Sequence, residues 1–272
     1  VELSLNTVNI KTKDFTWTTD FIYSHMHNEV TELNTYNRLY DYISGYGFTM
    51  PGYPQRSLFS IPFAGLNNEG LPTFYDPDGN ITVTGIDMQE YDPERLKFLK
   101  YEGPADPTDV GSLGNIFRYK NLTLNLFITY SFGNVVRLDP VFSSEYSDLS
   151  ATPKEFNNRW IKPGDEKFTN IPVIASRQQL NNLAYLSRAY QSYNYSTARV
   201  AKGDFIRMKE ISLAYEFPKT LTQPLHLSNL SLKLQATNLF LLYADKKLNG
   251  QDPEFFNAGG VATPMPKQFT LT

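Results

Sequence analysis

The sequence has no cysteine, which excludes a disulfide scaffold, a thiolate metal site and a cysteine nucleophile. Histidine is scarce. His25 and His27 share a face of one extended stretch, His226 lies far away in sequence, and no third zinc ligand is visible. Positive charge is not in excess: 25 Lys and Arg stand against 28 Asp and Glu, a net charge of −3. A nucleic-acid partner wants a basic surface, so none is expected. Long apolar runs are missing too. The longest is Leu239–Ala244, whereas a membrane-spanning helix needs about 20 apolar residues. A membrane barrel is not excluded, because its strands need only alternation over about 9–11 residues. No G-x-S-x-G, phosphate-binding loop or paired-carboxylate geometry emerges, and no enzyme is expected.

What is present favours strands. Aromatic residues reach 14%, and apolar residues make up 41% of the 272. The stretch NLTLNLFITYSF, Asn121–Phe132, alternates cleanly. Leu122, Leu124, Leu126, Ile128, Tyr130 and Phe132 share one face; Thr123, Asn125, Thr129 and Ser131 share the other, with Phe127 intruding. That apolar face needs either a protein core or lipid.

Similar patterns mark three hairpins. Val1–Lys11 and Phe15–Val30 turn at Thr12–Asp14; Gly111–Arg118 and Asn121–Phe132 turn near Tyr119; Asp204–Phe217 and Asn229–Leu242 are joined by residues 218–228. Ser57–Gly65 and Leu71–Tyr75 read as further short strands, Arg177–Tyr190 as helix-compatible, and a final strand starts at Gln268. Residues 31–56, 134–203 and 245–266 read as long loops. With up-and-down strands, short connections fall on one rim and long ones on the other, the asymmetry of outer-membrane barrels. The chain enters directly as a strand at Val1 and stops within another, so it reads as a piece of a longer polypeptide. Pattern alone leaves two architectures open: a membrane barrel, or a soluble β-sandwich such as a carbohydrate-binding module. A glycoside hydrolase would need two carboxylates about 5–10 Å apart.

Motifs in order along nearly the whole chain resemble the C-terminal region of SusC/RagA-type TonB-linked outer-membrane transporters. The family's GD-aromatic-hydrophobic-Arg strand appears as Gly203, Asp204, Phe205, Ile206 and Arg207; its turn as Tyr215 and Pro218; its NLF strand end as Asn238, Leu239 and Phe240. Its G-x-DPE loop appears as Gly250, Asp252, Pro253 and Glu254, and its P-x-P entry to a last strand as Pro264, Pro266 and Phe269. FAGLNNEGLPTFYDPDGN, GSLGNIFRYKNLTLNLFITYSFGN and FNNRWIKPGDEKFTNIP resemble three earlier family segments.

The resemblance implies an all-β fold: a transmembrane antiparallel β-barrel segment, the C-terminal strands of a 22-stranded barrel, with long extracellular loops. Residues 1–272 would be the C-terminal part of that barrel, the plug domain and N-terminal strands being absent from this chain. It implies active import of oligosaccharides or oligopeptides across the outer membrane of a Gram-negative bacterium of the Bacteroidetes kind. TonB would act through the plug, and a SusD-like surface lipoprotein would serve as lid. No cofactor is expected; DPDGN, Asp76–Asn80, superficially resembles a calcium loop but reads as a turn. Three glycosylation sequons, at Asn80, Asn121 and Asn194, read as chance matches. Loop aromatics are the candidate contacts for substrate or lid: Tyr36, Tyr40, Tyr46 and Tyr53 in the first long loop, and Trp160, Tyr190 and Tyr193 in the second. The plainer reading of these rings is loop packing.

Overall fold

The computed structural model describes residues 1–45, 47–141, 153–176, 178, 181, 185–255 and 266–272. Its largest element is a seven-stranded antiparallel sheet that does not close on itself. The strands are β1 (Glu2–Lys11), β2 (Phe15–His25), β8 (Asp109–Tyr119), β9 (Leu122–Phe132), β12 (Phe205–Glu216), β13 (Ser231–Ala244) and β14 (Gln268–Leu271), side by side in that order. Each strand lies beside its sequence neighbour in the sheet, so the chain runs up and down. The second strand ends at His25, shorter than the Phe15–Val30 expected, at the level where the chain begins: His25 donates its N–H to the carbonyl of Val1, and Met26 adds one further bond, to the carbonyl of Thr108.

Register carries the alternation from strand to strand. Leu122 stands between Tyr119 and Tyr215, Leu124 between Phe117 and Leu213, Leu126 between Asn115 and Ile211, and Ile128 between Leu113 and Met208. Leu213 continues through Leu234 to Leu271. One face of the sheet is therefore predominantly apolar, and none of the described residues covers it: Leu213 is 40% exposed and Leu234 53%. A sandwich would bury this face under a second sheet about 10 Å away. Aromatic rings bound it at both ends. Trp17, Phe117, Tyr119 and Tyr215 lie near the short turns, and Phe21, Tyr130 and Phe132 near the other rim. From Leu122 to Tyr130 is about 27 Å along the strand, or roughly 20 Å of depth at the usual tilt, close to the apolar band of membrane barrels. Asn115 is polar on this face, but its Oδ1 accepts from Trp17 Nε1 at 2.9 Å and Thr19 Oγ1 at 2.8 Å, as an apolar solvent requires.

Two glycines explain two aromatics. Phe127 pairs with Gly114, and a Cβ built on Gly114 would meet the Phe127 ring at 3.6 Å. Phe127 thus covers a glycine gap on the polar face, which accounts for its intrusion there. On the apolar face Tyr130 lies across Gly111 and donates from its hydroxyl to the carbonyl of Ile22 at 3.0 Å. A Cβ on Gly111 would fall 2.1 Å from that carbonyl oxygen.

The rim asymmetry is observed, but its bookkeeping differs. Short connections lie at 12–14, 120–121 and 217–230; the turn after β8 is formed by Lys120 and Asn121, with Lys120 at φ 51°. The long connections are 26–108, 133–204 and 245–267. The expected short strands at Ser57–Gly65 and Leu71–Tyr75 are not barrel strands. They are β3 (Ser57–Ser60), β4 (Phe63–Leu66) and β5 (Pro72–Tyr75), which with β6 (Ile81–Thr82) and β7 (Lys100–Pro104) form small sheets inside the first long connection. The second connection holds β10 (Val135–Arg137) and β11 (Val200–Lys202), paired with each other. Their four or so residues are too short to span a bilayer.

The first two long connections share one core. Leu39, Ile61, Phe74 and Ile86 from the first pack with Leu186, Ala189 and Tyr193 from the second. Leu39 and Ile43 come from a short helix, α1 (Leu39–Ile43), inside a stretch read as loop; α2 (Pro93–Leu96) is another. Leu186, Ala189, Tyr190 and Tyr193 form the buried face of α3 (Tyr185–Asn194), displaced toward the C-terminus from the expected helix, part of which lies outside the described residues. Gly85 makes this contact feasible: a Cβ there would come 2.7 Å from the backbone of Ala189.

Candidate functional site

The residues carrying the family motifs converge at the long-loop rim. Gly203 donates its N–H to the carbonyl of Asn134 at 2.9 Å, and a Cβ on it would fall 2.2 Å from the Asn134 amide. Asp204 accepts from the N–H of Gly133 at 2.7 Å. The entry to β12 is thus pinned to the exit of β9. Arg207 follows on the polar face, opposite Thr129. Its guanidinium is bound to the Asp252 carboxylate, and its Nε lies 3.2 Å from Glu254 Oε2. Arg207 is 5% exposed. The Arg of one motif and the DPE of the other are two halves of one ion-pair clamp. Pro253 opens a 3-10 turn, Pro253–Phe255, which presents both acids on one side.

Asn238 has a different part. It adopts φ 53°, a left-handed conformation that Asn tolerates. Register slips there: Met208 pairs with Phe240 but Glu210 with Thr237. Asn238 therefore forms a bulge that bends β13. Pro218 sits on the opposite rim, where it precedes α4 (Lys219–Thr222) in the connection from β12 to β13. Pro264 lies outside the described residues.

Buried arginines that no local pattern marks complete the rim. Arg199, 1% exposed, pairs with Glu155 at 2.5 Å and donates to the carbonyl of Asp139. Glu155 in turn accepts from Asn249 at 3.3 Å, and Asp139 from Gln251 at 3.3 Å. Asp245 accepts from the N–H of Lys202 at 2.9 Å. The third connection is therefore laced to the second. Arg137 joins the second to the first: its Nη2 donates to the Phe59 carbonyl at 2.5 Å and Ser60 Oγ at 3.3 Å. Burial pulls the Arg137 pKa down to about 10, which leaves it cationic at neutral pH. These partners lie dozens of residues apart, so sequence reasoning found only Arg207 among them.

The candidate contact aromatics divide sharply. Tyr36 is 96% exposed. Tyr40 is half-buried, edge-on to Tyr195 at 5.8 Å. Burial, with Tyr40 beside it, pushes the Tyr195 pKa up to about 12. Tyr53 packs against Tyr101 at 4.7 Å and Phe59 at 5.1 Å, and lines a cleft of about 90 Å³ with Tyr42, Met50 and Lys97. Tyr46 lies outside the described residues. Trp160, Tyr190 and Tyr193 are buried, at 8%, 7% and 1% exposed, and pack as core residues, the plainer of the two readings. Tyr190 donates to the Val173 carbonyl at 2.8 Å. Trp160 lies on Gly70, where a Cβ would come 2.4 Å from its ring, and donates to Glu166 at 3.0 Å. That bond, with the N–H of Gly164, holds the Glu166 carboxyl below its ordinary value. Two family segments thereby dock on each other, NNEG under RW-x-x-PGDE.

The polar face below the rim carries Asn125, Glu210 and Gln235. Both amides donate to Glu210, at 3.2 and 3.0 Å, across three strands. On the opposite face, at the rim beside Phe132, His25 bonds Asp109 at 2.8 Å. Asp76 accepts the N–H groups of Asp78 and Asn80, so the DPDGN stretch is an Asx-type turn. What the arrangement offers is a wall with one apolar and one polar face, and a cross-braced mouth.

No protein-family model matches the chain. Among curated proteins it is 26% identical to TonB-dependent receptor P39 of Formosa agariphila, over 97% of this chain and 28% of that protein. It is 27% identical to TonB-dependent receptor SusC of Bacteroides thetaiotaomicron, over 100% of this chain and 25% of that one. The chain thus spans about a quarter of the length of the curated relatives it matches. Among solved structures, the RagAB peptide transporter matches with TM-score 0.68 and 22% identity, over 99% of this chain and 28% of that chain. The RagAB peptide importer in its open-open state matches with TM-score 0.67 and 20% identity, over 99% of this chain and 27% of that chain. The resemblance read from the motifs holds at both levels. The chain is a relative of the TonB-dependent receptors, SusC among them, and its fold is that of a RagA barrel wall. These relatives are receptors and transporters, not enzymes.

Proposed function

We propose that this chain forms the C-terminal wall and extracellular mouth of an outer-membrane active transporter that imports oligosaccharides or oligopeptides. Energy would come from TonB through a plug contributed by another part of the protein, and a SusD-like lipoprotein would close over the mouth. The observation that carries this reading is the uncovered apolar face, banded by aromatics, of a sheet whose long connections all leave one rim. Such a face is stable against lipid and unstable in water. The polar face, with Asn125, Glu210 and Gln235, then lines the lumen. The test is fractionation of cells making the complete protein, followed by uptake of labelled oligosaccharide and oligopeptide pools in cells with and without it. The reading expects the protein in the outer membrane and TonB-dependent uptake of one pool. Recovery in the soluble fraction without detergent sinks it.

A further inference from the structure

Residues 160–171 form a compact loop in the second long connection, closed at its base where the Trp160 N–H donates to the Ile171 carbonyl at 2.9 Å. Its two acids are used inside the loop. Asp165 Oδ2 accepts the N–H groups of Ile161 at 3.1 Å and Lys162 at 3.0 Å. Glu166 Oε2 accepts from the Trp160 indole at 3.0 Å and the Gly164 N–H at 2.8 Å. The Asp165 carbonyl accepts in turn from the N–H groups of Phe168 at 2.8 Å and Thr169 at 3.1 Å.

The loop is therefore inside out. Ile161 is 68% exposed and Phe168 89%, while Asp165 and Glu166 are half-buried. Water alone would favour the opposite arrangement. Ile161 and Phe168 each stand one hydrogen bond from Asp165, so one braced turn carries both. Lys162 and Lys167, their neighbours in sequence, are exposed as well. The outward chemistry of the turn is thus apolar and basic.

A lone exposed ring needs no explanation, but two large apolar side chains on so rigid a turn do. A turn already fixed in place loses little freedom when a partner buries it. An aromatic anchor rimmed by charge is the pattern of protein interfaces. The loop is fastened to the soluble core, with Trp160 on Gly70 and the Val173 N–H on the Gly70 carbonyl at 2.9 Å, and not to the sheet. A protein surface, not lipid, therefore suits it, and the two lysines call for carboxylates opposite.

We infer that Phe168 and Ile161 are an anchor by which the mouth docks a partner protein, inserting into an apolar pocket rimmed by Asp or Glu. The inference rests on the transporter reading, in which a surface lipoprotein closes over the mouth, and gives that lipoprotein a point of attachment.

The test places p-benzoylphenylalanine at position 168 of the complete protein, irradiates intact cells and maps the cross-link by mass spectrometry. The expected product joins position 168 to an apolar side chain of a surface lipoprotein, with carboxylates beside it. That lipoprotein, purified and titrated against the complete protein, is expected to bind Phe168→Ala about thirty-fold more weakly and Phe168→Trp nearly as well as the unaltered protein. Lys162→Glu combined with Lys167→Glu is expected to weaken binding at low salt and much less at high salt. A cross-link within the protein itself, a cross-link to lipid, no cross-link, or unchanged binding of Phe168→Ala overturns the anchor. Outer-membrane location and uptake in the same cells keep the two readings apart: both stand if only the anchor fails, and their loss sinks the transporter reading itself.

Discussion

Leu213 and Leu234 on the seven-stranded sheet are 40% and 53% exposed, whereas Leu39, Phe74 and Leu186 in the long connections have no exposed surface. The same kinds of side chain are placed in opposite ways within one chain. The connections fold as water-soluble proteins do, with helices and small sheets burying a shared core. The sheet shows its apolar residues outward, so its solvent is apolar too. Charge follows the same division. Arg137, Arg199 and Arg207 are drawn into the mouth, with partners among carboxylates and backbone carbonyls, while the outer face between its aromatic ends carries no charged residue on β9.

The sharpest way to break this division is at the junction between its halves. Arg207→Ala leaves Asp252 and the partly exposed Glu254 without their cation, and removing one member of a buried pair costs about 3–5 kcal/mol. The expected outcome in the complete protein is proteolytic cleavage within 245–255 and faster amide exchange there, with the sheet intact. A double change, Arg207→Leu with Asp252→Leu, is expected to cost less than the two single changes added together. If the sheet melts along with the connection, the two regions are one cooperative unit and the division is thermodynamically empty.

A second comparison sets the two faces against each other. Leu126→Arg puts a charge on the outer face near mid-strand and is expected to destabilise the membrane-embedded protein by about 2–4 kcal/mol. Ala214→Arg puts the same charge on the polar face and is expected to cost less than about 1 kcal/mol, part of it from Lys233 directly opposite. Urea titration in lipid vesicles measures both. Equal costs would mean that the leucine face does not meet lipid.

How much of this was legible in sequence follows the range of each interaction. The alternation in Leu122–Phe132 is local, and it gave the strand, its faces and its hairpin within a residue. The connections were not legible in the same way. Ser57–Gly65 reads as one short strand, yet Phe59 and Phe63 belong to different small sheets, and the four residues Ser57–Ser60 are buried on both faces. Trp160 and Tyr193 look from sequence like loop aromatics free to stack on a ligand. Their burial depends on Gly70 and Arg199, one far away in sequence and the other hidden in an unremarkable TAR. Arg207 was found only because a motif marked it.

Two glycines in β8 make a finer test of how tightly the wall is packed. Gly111→Ala places a methyl 2.1 Å from the Ile22 carbonyl oxygen, a backbone atom that cannot swing aside. Overpacking of this kind costs about 1–3 kcal/mol. Gly114→Ala meets nothing closer than 3.6 Å, and is expected to change stability by less than about 0.5 kcal/mol. The same titration reads both. Loss of stability in both variants would show that glycine is needed for strand curvature and not for the crossing of Tyr130.

The smallest effect concerns the soluble half alone. Glu166 is held below its ordinary pKa of 4.5, first by the Trp160 indole N–H and then by the backbone. A depressed carboxyl stabilises the fold fully above its unfolded value and loses that contribution as pH falls through the lower, folded one. The window therefore lies below 4.5. The protein has two tryptophans, and Trp17 is on the outer face, so Trp17→Phe leaves Trp160 as the reporter. Its emission is expected to hold steady on acidification to about 4.5 and to change only below that value, reversibly, as the carboxylate that accepts from the indole loses its charge. Glu166→Gln keeps an acceptor oxygen that does not titrate in this range, so the same acid step should vanish from its emission. A step that begins above 4.5, or one that persists in Glu166→Gln, would place the titrating group elsewhere and unfasten the PGDE turn from Trp160.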